Sequence, residues 1–123
     1  MEMDDRMLAH RIVIMVILLP LSFAQRTGVP KVHSAGFPAD LTLGDETGAH
    51  CVVRKDNSGP ASILWRKDGV ELEPNDRITV TMVSTSSSTL AIRRIEHGDV
   101  GNYTCIASSM QGSSEVTVPL IVR

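Results

Sequence analysis

From about residue 29 onward the chain alternates apolar and polar residues with a period of two, in a series of short runs. Ala49, Cys51 and Val53 share one side against His50 and Val52, and Ile63 and Trp65 oppose Leu64 and Arg66. Ile78, Val80 and Met82 oppose Thr79 and Thr81, Leu90 and Ile92 follow, and Tyr103, Cys105 and Ala107 oppose Asn102, Thr104 and Ile106. Val116, Val118, Leu120 and Val122 close the series. Successive side chains of a strand point to opposite faces, so each run predicts a half-buried strand. Turn formers separate the runs: Gly44-Asp45, Asn57-Ser58-Gly59-Pro60, the hairpin signal Lys67-Asp68-Gly69, Pro74-Asn75-Asp76 and Gln111-Gly112. The polar run Ser84 to Ser88 reads as a flexible exposed turn. Pro119 fits its strand only where its missing donor falls at an edge or a bulge. The chain is expected to be all-β.

The first residues carry a different signal. Arg6 and Arg11 precede the apolar run Ile12 to Leu19, and Pro20 to Ala24 offers small residues at Ser22 and Ala24, the pattern of a cleaved secretion signal over residues 1–24. The run is too short for the roughly 20 residues needed to span a bilayer, so no direct membrane insertion is expected after its removal. Residues 25–31, with Gly28 and Pro30, then read as an extended lead-in, and 32–123 as one domain. Removing residues 1–24 changes the net charge from −2 to −1, a balance that disfavours nucleic acid as a partner. Hydrophobic residues make up 42% of the chain but aromatics only 3%, so the core must be built mainly from Val, Ile and Leu. In an oxidising compartment the two cysteines are expected to pair, adding roughly 4 kcal/mol by restricting the unfolded chain.

Cys51 and Cys105 are the only cysteines and stand 54 positions apart, with the only tryptophan, Trp65, fourteen after the first and the only tyrosine, Tyr103, two before the second. Asp99, Gly101, Tyr103 and Cys105 spell D-x-G-x-Y-x-C, with Leu90, Ile92 and Ile95 at core spacing upstream. The chain thereby resembles the intermediate (I-set) type of the immunoglobulin superfamily. The resemblance implies a two-sheet antiparallel sandwich with one inter-sheet disulfide between Cys51 and Cys105, a core holding Trp65, Tyr103 and Leu90, and a salt bridge from Arg77 to Asp99. More narrowly, Gly36-Phe37-Pro38-Ala39-Asp40-Leu41 with Gly44 resembles the domain start of Down syndrome cell adhesion molecule-like proteins. That likeness implies an extracellular protein-binding module of the cell-adhesion type, homophilic or heterophilic, in neuronal recognition and self-avoidance. It would be secreted, or held at the cell surface as part of a longer receptor. A soluble secreted immune-recognition or ligand-binding protein is the alternative, and a load-bearing intracellular module a third reading.

Asn102-Tyr103-Thr104 is an N-x-T glycosylation acceptor, and alternation turns Asn102 outward. His33, His50 and His97 lack metal-ligand spacing, no nucleophile elbow occurs, and Glu71 and Glu73 read as solvated charges, so neither enzymatic activity nor a cofactor is expected. Recognition is left to outward residues. Leu64 and Ile106 form one possible contact face, and the small residues Thr79, Thr81, Thr89 and Ala91 form another that suits self-association.

Overall fold

The computed structural model describes residues 29–54 and 61–123. The expected secretion signal, most of the lead-in and the turn at Asn57 to Pro60 lie outside the described residues. Eight strands follow in chain order: β1 (Val32–His33), β2 (Thr47–Val53), β3 (Ser62–Lys67), β4 (Val70–Glu71), β5 (Ile78–Ser84), β6 (Ser87–Ile92), β7 (Gly101–Ser109) and β8 (Gly112–Leu120). A 3-10 turn, His97–Asp99, precedes β7. The strands form two four-stranded sheets in the orders β1-β2-β6-β5 and β4-β3-β7-β8, with every pairing antiparallel. This is an all-β, immunoglobulin-like sandwich.

Alternation sets which residues meet between the sheets. From β2 come Ala49, Cys51 and Val53, from β6 Leu90 and Ile92, and from β7 Tyr103, Cys105 and Ala107, all buried. Two stacked sheets can exclude water only if both inner faces are apolar, and these rows supply that surface. Phe37 sets its ring edge against Tyr103, with centroids 5.3 Å apart and planes at 66°. With so few aromatics, that contact seals one flank of an otherwise aliphatic core.

The turns follow their local chemistry. Asp68 and Gly69 both have positive φ, 49° and 86°, the conformation that a two-residue hairpin needs to match strand twist. Near Gly44, the Asp45 carboxylate accepts the backbone N–H of Thr42 at 2.9 Å, and Ile95 N–H donates to Asp45 O at 2.9 Å. These bonds tie the loop before β2 to the end of β6.

Two expectations change. The serine run is not a single exposed turn: Ser87 and Ser88 belong to β6, and Ser88 is fully buried. Only Thr85 and Ser86 form the turn between β5 and β6. Met82, expected on the inward side with Ile78 and Val80, stays 50% exposed. It lies on the free edge of its sheet, beside a register shift between Met82 and Ser84, beyond the margin of the core.

Candidate functional site

The residues of the cysteine–tryptophan–tyrosine pattern brace the sandwich. Cys51 of β2 and Cys105 of β7 are disulfide-bonded, joining the sheets at their centre, and both are fully buried. Trp65 stands directly opposite Cys105 in the β3–β7 ladder and is sealed in the same layer. Its indole N–H donates to Ser88 Oγ at 3.0 Å. A buried N–H without a partner costs free energy, which gives the β6 serine its place among aliphatic neighbours.

At one end of the sandwich Arg77 grips Asp99 with two parallel bonds, Nη1 to Oδ2 at 2.8 Å and Nη2 to Oδ1 at 3.1 Å. Arg77 also donates to the carbonyls of Arg93 and Arg94 and reaches Glu96 at 3.3 Å. Burial works against the Asp99 carboxylate, but the Arg77 bonds, the Glu96 N–H at 2.8 Å and the Arg77 charge outweigh it and hold the group below the usual carboxylate range. The Tyr103 hydroxyl donates to Asp99 O at 2.6 Å. Burial, reinforced by the negative charge of Asp99, pushes its ionisation upward, so the phenol stays a donor. One aspartate thus ties the start of β5, the 3-10 turn and β7 together.

Sequence reasoning overlooked two residues of this frame. Ser88 carried no signal beyond its membership of a serine run. Asp68 read only as a turn former, yet its Oδ1 accepts the Asn102 N–H at 2.9 Å while its own N–H donates to Asn102 O at 2.8 Å. Bonds from Asn102 N–H and Lys67 hold its carboxylate below the ordinary range. Gly101 makes that approach possible: a Cβ there would stand 2.5 Å from Asp68 Oδ2. The glycine of the D-x-G-x-Y-x-C pattern therefore leaves space for a carboxylate from the β3–β4 hairpin. A hint was available in the pairing of Asp68-Gly69 with Gly101, but only the fold brings them together.

The outward faces carry different chemistry. On the sheet containing β3 and β7, Leu64 stands directly opposite Ile106, with Glu115 beyond Ile106 in the same row. The adjacent row is Arg66, Thr104 and Thr117, with the two threonine hydroxyls 2.8 Å apart. Asn102 lies one further step along β7 on the same side, exposed and opposite Pro119. The other sheet presents Thr79 opposite Ala91 and Thr81 opposite Thr89, with His50 Nδ1 2.7 Å from Thr89 Oγ1. His33, His50 and His97 are exposed, as are Glu71 and Glu73. Among the described residues no group of three or more His, Cys, Asp or Glu is placed to hold a metal ion, and no helix is long and apolar enough to cross a membrane.

The immunoglobulin I-set domain model matches residues 30–122. Mouse Roundabout homolog 1 is 35% identical over 83 residues, covering 68% of this chain and 5% of the relative. The muscle M-line assembly protein unc-89 of Caenorhabditis elegans is 38% identical over 52 residues, covering 42% of this chain and 1% of the relative. The chain thus spans a small fraction of the length of the curated relatives it matches. Among solved structures, the Dscam1 Ig7 domain, isoform 5, superimposes with a TM-score of 0.67 at 28% identity, covering 76% of this chain and 96% of that one.

Proposed function

We propose that this chain, which belongs to the immunoglobulin I-set family, is an extracellular protein-binding module of the cell-adhesion type whose contact face is centred on Leu64 and Ile106. The family and its neighbours are mainly binding or structural modules rather than enzymes. The pairing of Leu64 with Ile106 on an outward face, inside a rim formed by Arg66, Thr104 and Glu115, carries this reading. An apolar centre inside a polar rim is the usual anatomy of a protein contact. Likeness to Roundabout homolog 1 and to Dscam1 Ig7 supports the adhesion type, with homophilic or heterophilic contact in neuronal recognition as the finer proposal. Its compartment is proposed to be extracellular, in line with the secretion signal expected at residues 1–24 and with a disulfide that an oxidising environment maintains.

The unc-89 likeness favours a second reading, an intracellular structural module. The two differ in the redox state of Cys51 and Cys105 in the living cell. Thiols that label freely in the native protein support the muscle-type reading and sink the extracellular one.

Beads coated with the protein test homophily, and labelled protein applied to cells of the source tissue tests a heterologous partner. Clustering or staining should be lost in Leu64→Arg and Ile106→Arg and retained in Val52→Arg, which changes the opposite sheet. Absence of both binding modes would overturn the adhesion reading, and equal loss in all three variants would overturn the choice of face.

A further inference from the structure

Asn102, Thr104 and Ile106 alternate along the outward side of β7, so the N-x-T acceptor and the proposed contact lie on one surface. Ile106 lies four residue steps along the strand from Asn102, about 13 Å at the usual rise. A branched oligosaccharide attached to Asn102 reaches farther than that. Asn102 is exposed, and among the described residues no hydrogen bond engages its side-chain amide. The folded protein therefore has room for a sugar at this position.

The same strand makes attachment impossible once folding is complete. β7 is an interior strand of its sheet: Tyr103 pairs with Lys67 on one side and Val118 on the other, and Thr104 pairs with Arg66 and Thr117. Its backbone groups are committed to both ladders, and the backbone N–H of Asn102 is held by Asp68. The Thr104 hydroxyl, the group that defines the acceptor, is bonded to Thr117. A transferase must bend the acceptor segment out of line, and a backbone paired in two ladders cannot follow it. Cys105 follows Thr104 directly, and its bond to Cys51 draws β7 into the core.

We infer that Asn102 is an N-glycan site filled only before the Cys51–Cys105 bond closes, and that its glycan governs access to the Leu64–Ile106 face. In the transfer, Asn102 Nδ2 forms a bond to the anomeric carbon of a lipid-diphosphate-linked oligosaccharide. The bond from that carbon to the diphosphate oxygen breaks, the lipid diphosphate departs, and the amide proton passes to the transferase base. Disulfide closure competes with this step, so the secreted protein is a mixture. Glycosylated molecules carry a shielded face and unmodified ones an open face. Regulation of the contact in this way rests on the extracellular binding role proposed above.

The full chain is expressed in a secretory eukaryotic host, once behind its own first 24 residues and once behind an established secretion leader. Glycopeptide mass before and after amidase treatment, which converts a glycosylated Asn102 to aspartate, reads the occupancy. Partial occupancy is expected, lost in Thr104→Ala and rising toward completion in Cys51→Ser or when dithiothreitol is added during synthesis. Occupancy in Cys51→Ser is read on the cell-associated pool, so failure to fold does not block the measurement. An acceptor empty behind both leaders overturns the inference. Occupancy unaffected by both Cys51→Ser and dithiothreitol overturns the competition. Glycosylation behind the established leader alone supports the site and sinks the native-secretion reading instead. Hydroxyl-radical footprinting then reads the shield: deglycosylation should raise labelling of Leu64 and Ile106 severalfold and leave Val52 unchanged. Equal labelling of Leu64 and Ile106 in the two forms overturns the shielding.

Discussion

The indole N–H of Trp65 donates to the hydroxyl of Ser88 inside the sandwich, across the gap between the two sheets, at 3.0 Å. Both residues are closed off from water, so neither polar group can exchange its partner for solvent. Ser88→Ala leaves the indole N–H orphaned and is expected to cost about 1–3 kcal/mol. Urea denaturation followed by circular dichroism measures it. In a double-mutant cycle with Trp65→Phe, the cost of Ser88→Ala should shrink, because no donor is left unpaired. A cost that stays the same would show that Ser88 acts through packing alone.

Asp99 links stability to acid. Its folded carboxylate is held below an unfolded value of about 4. A depressed carboxylate contributes fully above the unfolded value, and the contribution disappears as pH falls through the lowered folded one. The urea midpoint of the native protein should therefore fall more steeply than that of Asp99→Asn below about pH 4. Parallel profiles would remove Asp99 from the acid response. Loss of the buried carboxylate should itself lower stability at neutral pH, by about 2 kcal/mol.

Tyr103 gives the opposite dependence. It is the only tyrosine of the chain, and its hydroxyl ionisation is pushed upward by burial and by Asp99. A neutral acid favoured by folding stabilises at pH below its unfolded value, about 10, and that stability is lost as pH rises through the folded one. Phenolate absorbance should therefore appear together with unfolding, monitored by circular dichroism, and not before it. Phenolate formation in a still-folded protein would show that the bond to Asp99 O is dispensable.

The sequence disclosed the sandwich because its evidence is local. Period-two alternation places Ala49, Cys51 and Val53 on one face of β2 whatever lies opposite, and the same rule orders Tyr103, Cys105 and Ala107 on β7. Ser88 and Asp68 could not be read this way. The hydroxyl of Ser88 is useful only because Trp65, 23 positions earlier, points its N–H there. Asp68 is useful only because Asn102, 34 positions later, presents its backbone N–H. Met82 followed the alternation of its strand, but its exposure depends on where the sheet edge falls. The sequence offered two candidate faces, Leu64 with Ile106 and the small residues Thr79, Thr81, Thr89 and Ala91, and no packing rule to choose between them. The register sets Leu64 directly beside Ile106, as alternation on adjacent strands suggested, with Asn102 on the same side of β7.

Gly101 tests the closest of these approaches. A methyl group added there meets the carboxylate of Asp68, so Gly101→Ala should lower stability by about 1–3 kcal/mol through overpacking. The loss should appear as a lower urea midpoint with an unchanged slope. Pairing it with Asp68→Ser, which shortens the colliding side chain, should recover part of the loss. If the double variant is no better than the single one, the glycine is required for the backbone path into β7 and not for the room it leaves.

The bridge between Cys51 and Cys105 closes a loop with a sequence separation of 54. In the chain-entropy account, removing such a crosslink frees the unfolded ensemble and costs roughly 4 kcal/mol, comparable to the whole net stability of a small domain. Cys51→Ala with Cys105→Ala should therefore unfold at much lower urea than the native protein, and the native protein after reduction is the comparison. Both should lose similar stability, since the bond and not the sulfur atoms restricts the chain. A double variant nearly as stable as the native protein would mean that the aliphatic layers of β2, β6 and β7 hold the sheets together unaided.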